Sequence, residues 1–121
     1  MIGIFFLNSS SLQTIKAVQT IVGNTAGYSS WFEALNEMKC QIEAKDFDIA
    51  LLGCGAYGFP LAAYIKSLGK QAIHMGGQLQ LLFGIKGKRW DNLGFYNKYW
   101  VRPSGNERPE NLLNVENGAY W

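Results

Sequence analysis

The chain has 121 residues, and 11 Lys plus Arg against 9 Asp plus Glu leave a formal net charge of +2. Without a dense positive field, nucleic-acid binding through a basic tail is excluded. With 48% hydrophobic and 14% aromatic residues, disorder is excluded too.

The length predicts one domain over residues 1–121, with a core over about 1–84 and a basic, aromatic extension over 85–121. Ile2–Leu7 is a short apolar run that reads as a strand, ended by the polar turn Asn8-Ser9-Ser10-Ser11. It lacks the basic flank of a signal peptide and is too short to span a bilayer. No apolar run long enough to span occurs elsewhere, so a cytoplasmic protein with no membrane span is expected. Leu12–Val22 is rich in β-branched residues and predicts a second strand, followed by a loop over 23–27. Ser29 or Ser30 is predicted to cap a helix, and Ser30 followed three residues later by Glu33 forms a capping box. Trp31, Phe32, Leu35, Met38 and Ile42 then recur at helical spacing, predicting a helix to about Lys45.

Ile49–Leu52 follows Asp48 as a continuous apolar run, the pattern of a strand buried on both faces of a parallel sheet. It runs into Gly53-Cys54-Gly55-Ala56-Tyr57-Gly58. Pro60 suits the first turn of a helix, Leu61–Leu68 continues it, and Gly69 closes it. Lys70–Met75 predicts a second buried strand, broken by Gly76-Gly77, and Gln78–Phe83 a short helix capped by Gly84. Strand, glycine turn, helix and strand together make a βαβ unit. Beyond Gly84 the chain turns basic, then aromatic, then loop-rich. The closing Ala119-Tyr120-Trp121 is predicted to pack back onto the domain or onto a partner chain. Cys40 and Cys54 lie in apolar segments without metal-ligand spacing and read as buried free thiols of a reducing compartment.

The chemistry concentrates at the glycine turn. Gly53-x-Gly55-x-x-Gly58 follows a strand and opens a helix, where a phosphate-binding turn belongs. The first glycine allows the turn, the second lets a ligand reach the backbone, and the third lets helix and strand approach. The amides of Gly53, Gly55 and Tyr57, at a helix N-terminus, are candidate phosphate donors. His74 is the only histidine and lies at the carboxyl end of the next strand, beside Gly76, Gly77 and Gln78. It reads either as a ligand contact and candidate catalytic group or as a satisfied core residue. Lys86, Lys88 and Arg89 form the one dense basic patch, either a solvated loop or a diphosphate clamp. A dinucleotide would need an acid at the tip of the second strand, where His74-Met75-Gly76-Gly77 stands instead, and this argues against NAD. No G-x-S-x-G, Walker lysine, HExxH or acidic metal pair is present, and Asp46 and Asp48 precede the strand at its wrong end. No metal or resident cofactor is expected.

Three segments, Asp48–Gly58, Ala72–Gly77 and Phe83–Asp91, together with Tyr99–Pro103 and Gly118–Trp121, resemble the C-terminal part of a bacterial family. The resemblance runs from about Ile15 onward and implies a family rather than a reaction. Its members are longer at the N-terminus, which implies that this chain is a fragment of a longer protein. More distantly, the layout is similar to the Rossmann-like GT-D glycosyltransferases of bacterial surface glycans. Ile73-His74-Met75-Gly76 stands where those carry an Asp-Ile-Gly-His type segment, and Gln78-Leu79-Gln80 stands where a metal-binding acid pair would follow. That resemblance implies a nucleotide-sugar site.

The expected fold is therefore a three-layer, Rossmann-like α/β domain with three or four mostly parallel strands. Its exposed sheet edges call for cover by the aromatic tail or by a second copy, hence a homo-oligomer. The expected function is a nucleotide-sugar-binding, glycosyltransferase-like domain of surface polysaccharide synthesis. In it Gly53, Gly55, Tyr57 and Gly58 frame the diphosphate, and His74, Gly76, Gly77 and Gln78 meet the sugar or phosphate. Lys86, Lys88 and Arg89 neutralise leaving-group charge. The alternative is a non-catalytic interaction module on the same core. A dinucleotide-dependent oxidoreductase is the third reading.

Overall fold

The computed structural model describes residues 3–20, 25–107, 112–114 and 116–121. The expected strand positions Ile21 and Val22 lie outside them. The chain divides into two compact units, Met1–Leu79 and Gln80–Trp121. The boundary falls a few residues before Gly84, where the sequence changes character.

The first unit is mixed α/β. Its elements are β1 (Gly3–Leu7), β2 (Leu12–Lys16), α1 (Trp31–Glu43), β3 (Ile49–Gly53), α2 (Gly58–Ser67) and β4 (Gln71–His74). Asn8 closes the first hairpin: its Oδ1 accepts from the amides of Ser10 at 3.0 Å and Ser11 at 2.8 Å. The four strands form one sheet in the order β2-β1-β3-β4. β1 runs antiparallel to both β2 and β3, and only β3 and β4 are parallel. The sheet is thus mixed, which corrects the mostly parallel expectation. A hairpin turn as short as Asn8–Ser11 forces antiparallel pairing, whereas parallel neighbours need a crossover, and α2 supplies it between β3 and β4.

Alternation along the strands sends Ile4, Phe6, Ile15, Ala50 and Leu52 to one face, where they form a core with residues of both helices. α1 contributes Ala34, Leu35, Met38 and Ile42, and α2 contributes Leu61 and Ile65. Each Ile, Leu, Met or Phe side chain among them, once buried, contributes about 1.5–3 kcal/mol. The expected second buried strand, β4, is instead an edge strand, and Ile73 stays 48% exposed. It has a partner on one side only.

Local signals fix the helix ends. The Ser30 hydroxyl accepts from the Glu33 amide at 3.1 Å, while the Glu33 carboxylate reaches back to the amide and hydroxyl of Ser29, both at 2.6 Å. The capping box is therefore shared between two serines. Phe32, expected on the apolar stripe, is 69% exposed, because the stripe runs through Ala34, Leu35, Met38 and Ile42. Cys40, expected buried, is exposed on the same helix, whereas Cys54 is buried; both are free. α2 starts earlier than expected and ends at the left-handed Gly69 (φ 79°). There the Gly69 amide bonds the Lys66 carbonyl at 3.0 Å and the Lys70 amide bonds that of Ile65 at 3.3 Å.

The second unit relies on turns rather than on a sheet. α3 (Leu79–Leu82) leads into it, and Ile85 and Val101 form a single parallel bridge. Lys88–Leu93 is a 3₁₀ turn ended by the left-handed Gly94 (φ 71°). Phe95, Tyr96 and Trp100 pack with ring centroids 5.1–5.5 Å apart. The Tyr96 hydroxyl donates to the Gly87 carbonyl at 2.9 Å and accepts from the Gly87 amide at 3.1 Å. The closing segment returns onto its own unit: the Lys88 amide bonds the Trp121 carbonyl at 2.9 Å and the Arg89 amide that of Ala119 at 2.8 Å. Among the described residues no helix is long and apolar enough to cross a membrane.

Candidate functional site

The candidate site of the first unit lies at the carboxyl ends of the parallel pair β3 and β4. There two glycine turns face each other. One is the corner Gly53–Gly58; the other is the 3₁₀ turn Gly76–Gln78 after β4. The Met75 amide bonds the Leu52 carbonyl at 2.9 Å and ties the turns together.

The glycines of the corner divide into two kinds. A Cβ on Gly53 would stand 2.8 Å from a Leu79 methyl and 2.9 Å from the Gly76 carbonyl oxygen. A Cβ on Gly58 would stand 2.1 Å from Cε1 of His74. Both positions are filled by neighbours, so these two glycines serve packing. Gly55 has φ 53°, and nothing lies within 4 Å of its Cβ position. Gly76, across the corner, has φ 58° and the same open space. Left-handed backbone suits glycine at both. Gly58 thus lies where helix and strand approach and Gly55 presents open backbone, whereas Gly53, expected to allow the turn, is closed in by Leu79 and Gly76.

A 3₁₀ turn, Gly55–Tyr57, joins β3 to α2. Its first bonded amide is that of Tyr57, which donates to the Cys54 carbonyl at 3.1 Å. The Tyr57 amide is therefore engaged and is not offered to a ligand, a correction to its predicted role. The amides of Gly55 and Ala56 precede that first bond. The Tyr57 side chain is buried as well. It stacks on Trp31 at 4.9 Å with the planes 8° apart, and its hydroxyl bonds that of Thr20. No periodicity links residues 20, 31 and 57, so this support of the corner was hidden from the sequence.

His74 sits on the helix face of β4, opposite Leu52. Its imidazole lies against Gly58 at the start of α2, with the Phe59 ring edge-on at 5.6 Å. Its Nδ1 is buried and has no hydrogen-bond partner among the described residues. The bland expectation, a core histidine satisfied by a carbonyl, therefore fails at that nitrogen. Gln78 is exposed at the end of its turn. Cys54, between Gly53 and Gly55, is buried, and burial pushes its thiol up to about 12. It stays protonated at neutral pH and cannot serve as a thiolate nucleophile.

Lys86, Lys88 and Arg89 belong to the second unit, and that unit already employs two of them. Arg89 pairs with Glu116 at 3.2 Å and donates to the Tyr120 hydroxyl at 2.5 Å. The Lys86 ammonium stands over the Tyr96 ring at 5.6 Å. Lys88 is exposed.

Among the described residues no group of three or more His, Cys, Asp or Glu could hold a metal ion. Where a GT-D acid pair would stand, Leu79 is buried, Gln80 is buried and Gln78 carries no charge. These residues do not fit a carboxylate-bound metal. Compared with protein-family models, curated proteins and solved structures, the chain matches none.

Proposed function

We propose that the first unit binds the phosphate of a small anionic ligand at the Gly53–Gly58 corner. In the finer form of this reading the ligand is a nucleotide sugar, and the unit is a Rossmann-like, glycosyltransferase-like domain of surface polysaccharide synthesis. One observation carries the reading: Gly55 alone of the three corner glycines is left-handed with open space before it, while its two companions are filled. An anion there meets the amides of Gly55 and Ala56 and the positive end of α2. The open backbone of Gly76 leaves room for the rest of the ligand. Gln78 and His74, at the rim of the same edge, are the side chains that would contact sugar or phosphate.

A second reading has its own support. Gly53 and Gly58 are fully accounted for by Leu79 and His74, so a corner of this kind can serve an interaction module with no ligand.

Thermal unfolding against UDP-, GDP-, CMP- and dTDP-sugars separates the two. A ligand at 100 times its Kd adds about 2.7 kcal/mol, a shift of several degrees. Gly55→Val is expected to abolish that shift. Gly69→Val, at a glycine also left-handed and open at the far end of α2, is expected to lose basal stability as well and keep the shift. No shift with any nucleotide sugar in the unaltered chain would favour the interaction module.

A further inference from the structure

The strongest unexplained feature lies in the second unit and is independent of the nucleotide reading. Three consecutive carbonyls of the tail are each captured by a donor from the segment 80–102. The Ala119 carbonyl accepts from the Arg89 amide at 2.8 Å. The Tyr120 carbonyl accepts from Gln80 Nε2 at 3.0 Å. The Trp121 carbonyl accepts from the Lys88 amide at 2.9 Å and from Arg102 Nη1 at 3.2 Å. The Tyr120 ring packs between Trp90 at 5.6 Å and the Arg89 guanidinium at 5.1 Å.

Gln80 is the pivot of this cradle. It is 1% exposed, and the same Nε2 also donates to the Lys86 carbonyl at 3.2 Å. Its buried Oε1 has no partner among the described residues. A buried amide with its oxygen unmet is destabilising on its own, and its amino group is satisfied by the Lys86 carbonyl and the tail carbonyl together.

The tail itself is shaped as a ligand. Two of its amides bond within the segment, Ala119 to the Glu116 carbonyl at 3.1 Å and Trp121 to that of Gly118 at 3.0 Å, while the carbonyls of residues 119–121 go to the cradle. Glu116, Asn117 and Gly118 are all left-handed, at φ 46°, 54° and 74°. Two of these are not glycine, so the turn is held by its partners more than by its own preference. Recognition of this kind, by directional bonds to main-chain carbonyls plus one aromatic anchor, is how protein modules take short peptides.

We propose that the cradle formed by Gln80, Lys88, Arg89, Trp90 and Arg102 is a peptide-recognition site, and that it takes the Glu116–Trp121 segment of a second copy as well as its own. Every bond made within one chain is remade between two, so exchange of tails forms a dimer without loss of contacts. Within one chain the tethered segment acts at about millimolar effective concentration, which makes the closed monomer the resting state at low concentration.

The test uses the full chain and the labelled peptide Glu-Asn-Gly-Ala-Tyr-Trp. A full-length Tyr120→Gly variant keeps the cradle but loses the aromatic anchor of its tail. It is expected to bind the peptide saturably and at least tenfold more tightly than the unaltered chain. Adding Gln80→Leu to it is expected to remove that binding. The unaltered chain, followed by light scattering, is expected to gain mass with concentration and to return to the monomer mass when the peptide is added in excess. No saturable binding by a folded Tyr120→Gly chain, or a constant monomer mass up to millimolar protein, overturns the proposal. The light-scattering arm needs no variant and stands even if Tyr120→Gly fails to fold.

Discussion

The two units are held together by different physics. The first unit buries Ile4, Met38, Leu52, Leu61 and Ile65 completely, with apolar atoms on both sides of the sheet–helix contact. Among the described residues, the second buries one large ring, Trp90, and one polar side chain, Gln80. Its order comes from 3₁₀ turns, stacked rings and bonds from side chains to carbonyls. Apolar burial is non-directional and tolerates small shifts of position, whereas a bond to a carbonyl is lost when its partner moves. The first unit is thus organised by a core, and the second by a set of individually placed partners.

The largest effect should come from the core. Leu52→Ala removes a fully buried side chain at the centre of the sheet and is expected to cost about 3 kcal/mol in urea unfolding followed by far-UV circular dichroism. The matching truncation in the second unit, Gln80→Ala, frees the Lys86 and Tyr120 carbonyls and is expected to cost about 1–2 kcal/mol, seen in near-UV signals. Equal losses would break the contrast between the units. Next comes the contact of Gly58 with His74. Gly58→Ala places a methyl inside the imidazole and is expected to cost about 2 kcal/mol. His74→Ala should restore most of that loss in the double variant, whereas additive losses would deny the contact.

The smallest effect is one of pH. The bonds from the Ser29 hydroxyl and amide favour the ionised Glu33 and lower its pKa from the ordinary 4.5. The folded value is below the unfolded one, so this pair adds stability above the unfolded pKa and loses it as pH falls through the folded one. Ser29→Ala should therefore lower stability at pH 7 and converge on the unaltered chain toward pH 3, measured by thermal unfolding. A difference that does not shrink with acid would assign the effect to something other than Glu33.

What was legible in the sequence was local. The Ser30 cap, the Asn8 turn, the left-handed Gly69 and the glycine corner each declare themselves within a few residues, because each is one short-range bond or one φ angle. The sheet was read less well. An apolar run such as Gln71–His74 looks alike at an edge and in the middle, and only the pairing partner decides. The antiparallel placement of β1 against β3 likewise depends on residues far apart in sequence. At the site, spacing alone pointed to Gly55 as the open glycine and Gly58 as the packed one. It could not show that the Tyr57 amide is taken by Cys54, nor that Arg89 is held by Glu116 across the fold-back of the tail. Charge clusters are read in one dimension, and their partners arrive from another part of the chain.

The aromatic stack beneath the corner has an optical consequence. Of the four tryptophans, only Trp31 lies in the first unit, face to face with Tyr57, and Trp90, Trp100 and Trp121 lie in the second. Light absorbed at long ultraviolet wavelength is therefore sorted by unit before any label is attached. A chain with Phe in place of Trp31 emits from the second unit alone, and the difference from the unaltered chain is the emission of the first. The two halves can be watched unfolding separately in one cuvette.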